Sequence, residues 1–204
     1  MNATEITALL AFCTAMSFTP GPNTMLSTAL AVNQGMRPAL LFCLAVPAGW
    51  TVLMLACGLG LGAVVVDVPA LRWGVKLVGI TYLAWLAWKL SSAAQLAKVG
   101  APPLKISFWS GMSLQLVNIK AWMLALTLTA GWVVSAAGEP APNPGERLAI
   151  ICALMVFFGF SSNLSYALMG TMLRKTLSRG NRLLWFNRAM ALVLLVTAVW
   201  MLTV

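Results

Sequence analysis

Apolar residues along the chain fall into six long runs, near residues 3–32, 38–65, 69–91, 108–136, 147–173 and 183–203. A helix rises about 1.5 Å per residue and the hydrocarbon core is about 30 Å thick, so each run is long enough to cross a bilayer with modest tilt. Between the runs stand Asn33-Gln34-Gly35, Val66-Asp67-Val68-Pro69, Gly100-Ala101-Pro102-Pro103, Gly138-Glu139-Pro140-Ala141-Pro142-Asn143-Pro144-Gly145 and Ser178-Arg179-Gly180-Asn181, which are turn formers where turns are needed. The pattern predicts an all-α polytopic membrane protein, a single domain over 1–204 with six transmembrane helices.

Two of the runs are interrupted by polar or helix-breaking residues. The first contains Phe18-Thr19-Pro20-Gly21-Pro22-Asn23-Thr24 about midway along. Its prolines remove backbone donors and push the preceding residues out of the helical region, so the helix should break there. The fourth carries Gln115, Asn118 and Lys120 between apolar flanks. Open backbone in hydrocarbon is tolerated where protein or a water-filled cavity satisfies it, and a charge at the bilayer centre costs about 2.5–3.5 kcal/mol on insertion scales. Both interruptions therefore mark a candidate substrate site, against the alternatives of a simple proline kink and of a Lys120 that snorkels toward one surface. They fall in the first and fourth runs, the first members of two sets of three. Three crossings are an odd number, so the two sets run in opposite senses, as in an inverted repeat whose broken helices meet near the midplane. Half-helix N-termini near Gly21 to Thr24, together with Lys120, suit a carboxylate, while carbonyls near Thr19 and Asn118 suit an amino group. In the fifth run, Ser161, Ser162, Asn163, Ser165 and Tyr166 either line a pathway or bond neighbouring helices. Gly58, Gly60 and Gly62 in the second allow close helix approach, within one chain or between the two copies of a homodimer.

Composition agrees: 61% of the 204 residues are hydrophobic and 8% are charged, which leaves no length for a soluble catalytic domain. The net charge of +9 comes from scattered residues and does not form a nucleic-acid face. Sorted by the side that a six-span chain dictates, Arg37, Lys89, Lys98, Lys105, Arg174, Lys175, Arg179, Arg182 and Arg188 share one surface with no acid. Arg72, Lys76 and Arg147 share the other with Glu5, Asp67, Glu139 and Glu146. The basic surface is the cytoplasmic one, which sets both termini in the periplasm. The first run has Glu5, no early basic residue and no small-residue cleavage site, so it reads as a span and not as a removed signal peptide. Four separated cysteines and no histidine argue against a disulfide framework or a zinc site. With no intramembrane acid, and no serine or cysteine beside a visible base, an intramembrane enzyme is disfavoured. A divalent-metal or dicationic substrate lacks a counter-charge, and a neutral or zwitterionic one fits better.

Pro20-Gly21-Pro22-Asn23, Gly35-Met36-Arg37-Pro38-Ala39, Gly79-Ile80-Thr81-Tyr82-Leu83 and Asn118-Ile119-Lys120 together resemble the LysE/RhtB family of amino-acid exporters over nearly the whole chain. Ile106-Ser107-Phe108-Trp109 followed by Leu114-Gln115-Leu116-Val117-Asn118-Ile119-Lys120 is most similar to the branch that exports cysteine and O-acetylserine. Many relatives have proline where this chain has Ile119, which leaves open how far the fourth helix unwinds. The resemblance implies efflux of small neutral amino acids or derivatives, of the cysteine, O-acetylserine or threonine/homoserine class, across the bacterial inner membrane. It implies no bound cofactor, and drive by the proton gradient. The expected substrate-binding residues are Thr19, Pro20, Gly21, Pro22, Asn23, Thr24, Gln115, Asn118, Lys120 and Asn163. Export of another small metabolite, or service as an accessory membrane subunit, are the alternatives.

Overall fold

The computed structural model describes residues 1–98, 106–134, 139–179 and 181–203. The expected turn at Gly100-Ala101-Pro102-Pro103, Gly138, Gly180 and the side chains of Lys98 and Lys105 lie outside the described residues. Nine α-helices account for nearly all of what is described. They are α1 (Ala3–Phe18), α2 (Pro22–Gln34), α3 (Met36–Gly58), α4 (Leu61–Asp67), α5 (Pro69–Lys98), α6 (Phe108–Val117), α7 (Ile119–Leu128), α8 (Pro144–Leu177) and α9 (Arg182–Thr203). A π-helical turn over Thr129–Val133 extends α7.

Within the described residues each expected run is helical, and the breaks explain why there are more helices than runs. α1 gives way to α2 at Thr19-Pro20-Gly21, where Thr19 is extended and Pro22 occupies the first turn of the next helix, the position at which a missing N–H costs least. α6 gives way to α7 at Asn118, and the axis turns by 67° there. Ile119 is already helical, so the unwinding stops at the asparagine. A third break was not legible in the pattern: α3 ends at Gly58, and Gly60, at φ 102°, starts α4 from the left-handed region. Of the three glycines read as packing residues, Gly60 therefore serves a turn. Gly58 and Gly62 lie against the Leu148 and Leu126 side chains of the same chain.

α3, α8 and α9 are long and apolar enough to cross a membrane individually, and the bent pair α6–α7 qualifies as a fourth crossing. Leu59, Trp109, Phe157, Met172 and Trp185 are among the large apolar side chains left on the outside. In water such a surface would aggregate, whereas in a bilayer it is the lipid-facing surface of a membrane-embedded protein.

α2 packs along α8, α5 along α9, and α3 lies between α6 and α8. The buried apolar residues form two clusters. One joins α2, the start of α3 up to Val46, the middle of α5, Leu114, Ala167 and α9. The other joins α1, α3 from Trp50 onward, α7 and the first part of α8 up to Met155. Along both α3 and α8 the hand-over between clusters falls where the helix breaks of α1–α2 and α6–α7 meet them.

Polar groups tie the far ends. At one end Arg147 donates to Glu5 Oε1 at 3.1 Å and to the Pro142 carbonyl at 2.9 Å, and the Trp132 indole donates to the Glu5 carbonyl at 3.2 Å. At the other, Asn33 and Asn187 exchange amide hydrogen bonds of 2.9 Å in both directions. Lys76, assigned from the sequence to an outer surface, is instead buried at 7% exposure, with its ammonium 5.3 Å from the Trp73 ring.

Candidate functional site

A cavity of about 60 Å³ lies at the hand-over between the two clusters. A water needs roughly 10–15 Å³ measured in the same way, so the space accepts several water-sized groups, the scale of a small amino acid. Four walls enclose it. Thr19, Gly21, Pro22, Asn23 and Thr24 come from the first break, and Asn118 and Lys120 from the second. α3 supplies Val46, Pro47 and Trp50; α8 supplies Met155, Gly159, Ser162 and Asn163.

At the first break the loose backbone groups are met one by one. The Thr24 hydroxyl accepts from the Gly21 N–H at 3.0 Å, and the Phe18 carbonyl accepts from the Tyr166 hydroxyl at 3.1 Å. Lys120 Nζ donates to the Thr19 carbonyl at 2.9 Å. The ammonium therefore sits at the C-terminal end of α1, where the aligned peptide dipoles leave about half a negative charge. Gly21 is close beside it, since a β-carbon there would lie 3.3 Å from Nζ. The first main-chain bond of α2 runs from Met25 N to the Gly21 carbonyl, so the N–H groups of Asn23 and Thr24 precede the helical ladder and form its positive end.

The second break is sealed in the same manner. Asn118 Oδ1 accepts from Lys120 N at 3.2 Å, which caps α7. The Trp122 indole reaches back to the Leu116 carbonyl at 2.8 Å, taking an acceptor that the end of α6 would leave open. The two breaks are joined through side chains: Asn23 and Gln115 exchange amide hydrogen bonds of 2.9 and 3.1 Å.

Eight of the ten residues picked from the sequence line this cavity. Pro20 and Gln115 do not. Pro20 is exposed and shapes the break, while Gln115 is fully buried behind Asn23 and also donates to the Gly111 carbonyl at 3.2 Å. Gln115 holds a lining residue rather than lining the cavity itself. Asn163 lines it, yet its Oδ1 accepts from Ser27 at 2.8 Å and its Nδ2 donates to the Gly159 carbonyl at 2.8 Å, so it also clamps α2 to α8. The α3 wall was missed altogether. Pro47 was the available signal, a proline within an apolar run, and Trp50 stands three residues on, almost one turn along the same helix.

Replacing Gln115 by leucine is expected to lower the thermal midpoint of the detergent-solubilised protein. The change leaves the Asn23 amide without its partner, at about 1–3 kcal/mol for an unsatisfied buried polar group. The Asn23→Leu/Gln115→Leu double variant should lose less than the two single losses combined, because the pair is one interaction; strict additivity would mean that the amides are not coupled.

The cavity contains one cation, two positive helix ends, two carbonyl ends and several amides, and no Asp or Glu lines it. A membrane-embedded helical protein whose broken helices meet around a small cavity has the arrangement that transporters use. The chain matches the LysE type translocator family over residues 14–204 and belongs to it. It is 30% identical to the cysteine/O-acetylserine efflux proteins of Salmonella typhimurium and Salmonella choleraesuis, and 28% identical to that of Escherichia coli (strain K12), in each case over 98% of both chains. No solved structure matches it significantly. The protein is a transporter and not an enzyme.

Proposed function

We propose that this protein exports small zwitterionic amino acids, of the cysteine and O-acetylserine class, from the bacterial cytoplasm across the inner membrane. The observation that carries this reading is that both helix breaks and Lys120 line one cavity. The substrate carboxylate is held by Lys120 and the free N–H groups at the start of α2. The efflux proteins at 28–30% identity support the substrate class. The absence of a lining carboxylate supports a zwitterion over a dication such as lysine.

The chain crosses six times in two inverted sets of three, α1–α2, α3–α4 and α5 followed by α6–α7, α8 and α9, with both termini periplasmic. Glu5 pairing with Arg147, and Asn33 with Asn187, support this parity, because each pair joins residues that six crossings assign to one surface. Alternating access rocks one set against the other, with the Glu5–Arg147 contact as the periplasmic closure. The proton gradient supplies the drive, and Lys120 is the titratable group among the lining residues.

Counterflow in proteoliposomes tests the reading. Radiolabelled cysteine and O-acetylserine are expected to exchange against internal unlabelled substrate, and lysine is expected not to. Lysine exchange would overturn the zwitterion assignment, and no exchange of any amino acid by folded protein would overturn the export reading as a whole.

A further inference from the structure

Among the described residues, one buried side-chain nitrogen or oxygen has no hydrogen-bond partner: the indole Nε1 of Trp50. Buried polar groups are nearly always paired, and an unpaired donor costs the free energy of its lost hydration, so each exception calls for a cause. Trp50 is 5% exposed, and its ring packs in the cluster with Leu53, Met54 and Ala121 while also lining the central cavity. The other indoles near the core are used. Trp122 donates to the Leu116 carbonyl and Trp132 to the Glu5 carbonyl. Trp50 alone couples a site in the cavity wall to an unused donor.

The residue lines the α3 wall, and because the indole nitrogen itself is covered, a small turn of the ring toward a bound molecule is what brings the donor into use. Lys120 and the free N–H groups of α2 come from the two helix breaks, whereas Trp50 comes from α3 and stands with Val46 and Pro47, which add no side-chain polar group. A zwitterion whose charged groups are held at the breaks presents its side chain to the remaining walls. We propose that the Trp50 indole N–H donates a hydrogen bond to an oxygen acceptor on the substrate side chain, so that the transporter selects hydroxyl- or ester-bearing small amino acids over alkyl ones of equal size. This rests on the amino-acid export reading above. It adds a specificity determinant that acts by the rule that a site with a buried donor rejects an isostere unable to accept from it.

The test is competition in the counterflow assay with serine, O-acetylserine, alanine and α-aminobutyrate, which has the size of serine without the acceptor. In the wild type, serine and O-acetylserine are expected to compete about tenfold more strongly than α-aminobutyrate, the order expected for one net hydrogen bond. Trp50→Phe keeps a ring and removes the donor. It should bring the oxygen-bearing compounds down to the level of α-aminobutyrate while leaving alanine unchanged. The wild-type comparison stands by itself should the variant fail to insert: equal competition by serine and α-aminobutyrate overturns the proposal. So does a Trp50→Phe protein that loses all substrates equally, since that is the mark of a packing role. Failure of every amino acid to exchange in folded wild type is a different result and counts against the export reading.

Discussion

Lys120→Ala is expected to reduce counterflow of labelled O-acetylserine at least a hundredfold in protein that still inserts and folds. The ammonium is half-buried, next to Gly21 and the free end of α2, where a carboxylate has few other cationic partners. Deleting one member of a fully buried charge pair costs about 3–5 kcal/mol, and about 2.7 kcal/mol, below that range as suits a half-buried ammonium, is already a hundredfold. The same substitution removes the bond from Nζ to the Thr19 carbonyl, so part of the loss falls on the fold. That bond is solvent-exposed, so its contribution is modest, about 0–1 kcal/mol, and a thermal midpoint registers it independently of transport. Lys120→Arg separates the two contributions. It keeps the charge and a donor for Thr19 but enlarges the head within a small cavity, so it should recover most of the stability and little of the transport. Full exchange by the alanine variant would remove Lys120 from the binding site and leave it as a helix-end tie.

The parts of this site that are legible in the sequence are those where local chemistry conflicts with an apolar helix. Two prolines and a glycine in three consecutive residues, Pro20-Gly21-Pro22, cannot continue a helix, and a lysine amid Leu, Val and Ile has no reason to be there unless a polar partner exists. Both signals led to residues that line the cavity. The partners that make the breaks tolerable are a different matter. Tyr166, Trp122 and Trp50 are as acceptable in a lipid-facing belt as in a core, and only the third dimension shows that two of them close open carbonyls and one does not. Gln115 was legible as polar but not as recessed, since one residue of helical rotation decides whether an amide faces the cavity or the residue that lines it. The break at Gly60 escaped because Gly58, Gly60 and Gly62 form a spacing that packing and turning share. Lys76 was assigned to a surface because charge sorting assumes that a basic residue near the end of a run reaches one, whereas its side chain is buried, with the ammonium 5.3 Å from the Trp73 ring.

The half-helix α6 carries the second break, and what holds it there sets up the other large effect. Two glycines on neighbouring helices abut its backbone from different elements: Gly49 on α3 faces the Met112 carbonyl, and Gly79 on α5 faces the Val117 carbonyl, one residue before Asn118. A β-carbon at either position would fall well inside contact distance of that oxygen. Ordinary overpacking against a side chain costs about 1–3 kcal/mol because the side chain can rotate aside. A carbonyl at the end of a helix cannot do so without moving the helix. Gly79→Ala is therefore expected to displace Val117 and with it Asn118, the cap of α7, and to abolish both transport and a cooperative thermal transition. Gly74 lies on the same helix with nothing within 4 Å of an added methyl, so Gly74→Ala is expected to fold and transport as the wild type does. The two variants make the same chemical change on one helix and differ in what the methyl meets. Equal behaviour of the pair would mean that α6 is not wedged by its neighbours, and the rigidity assigned to the break would then have to come from the Asn23–Gln115 and Trp122 bonds alone.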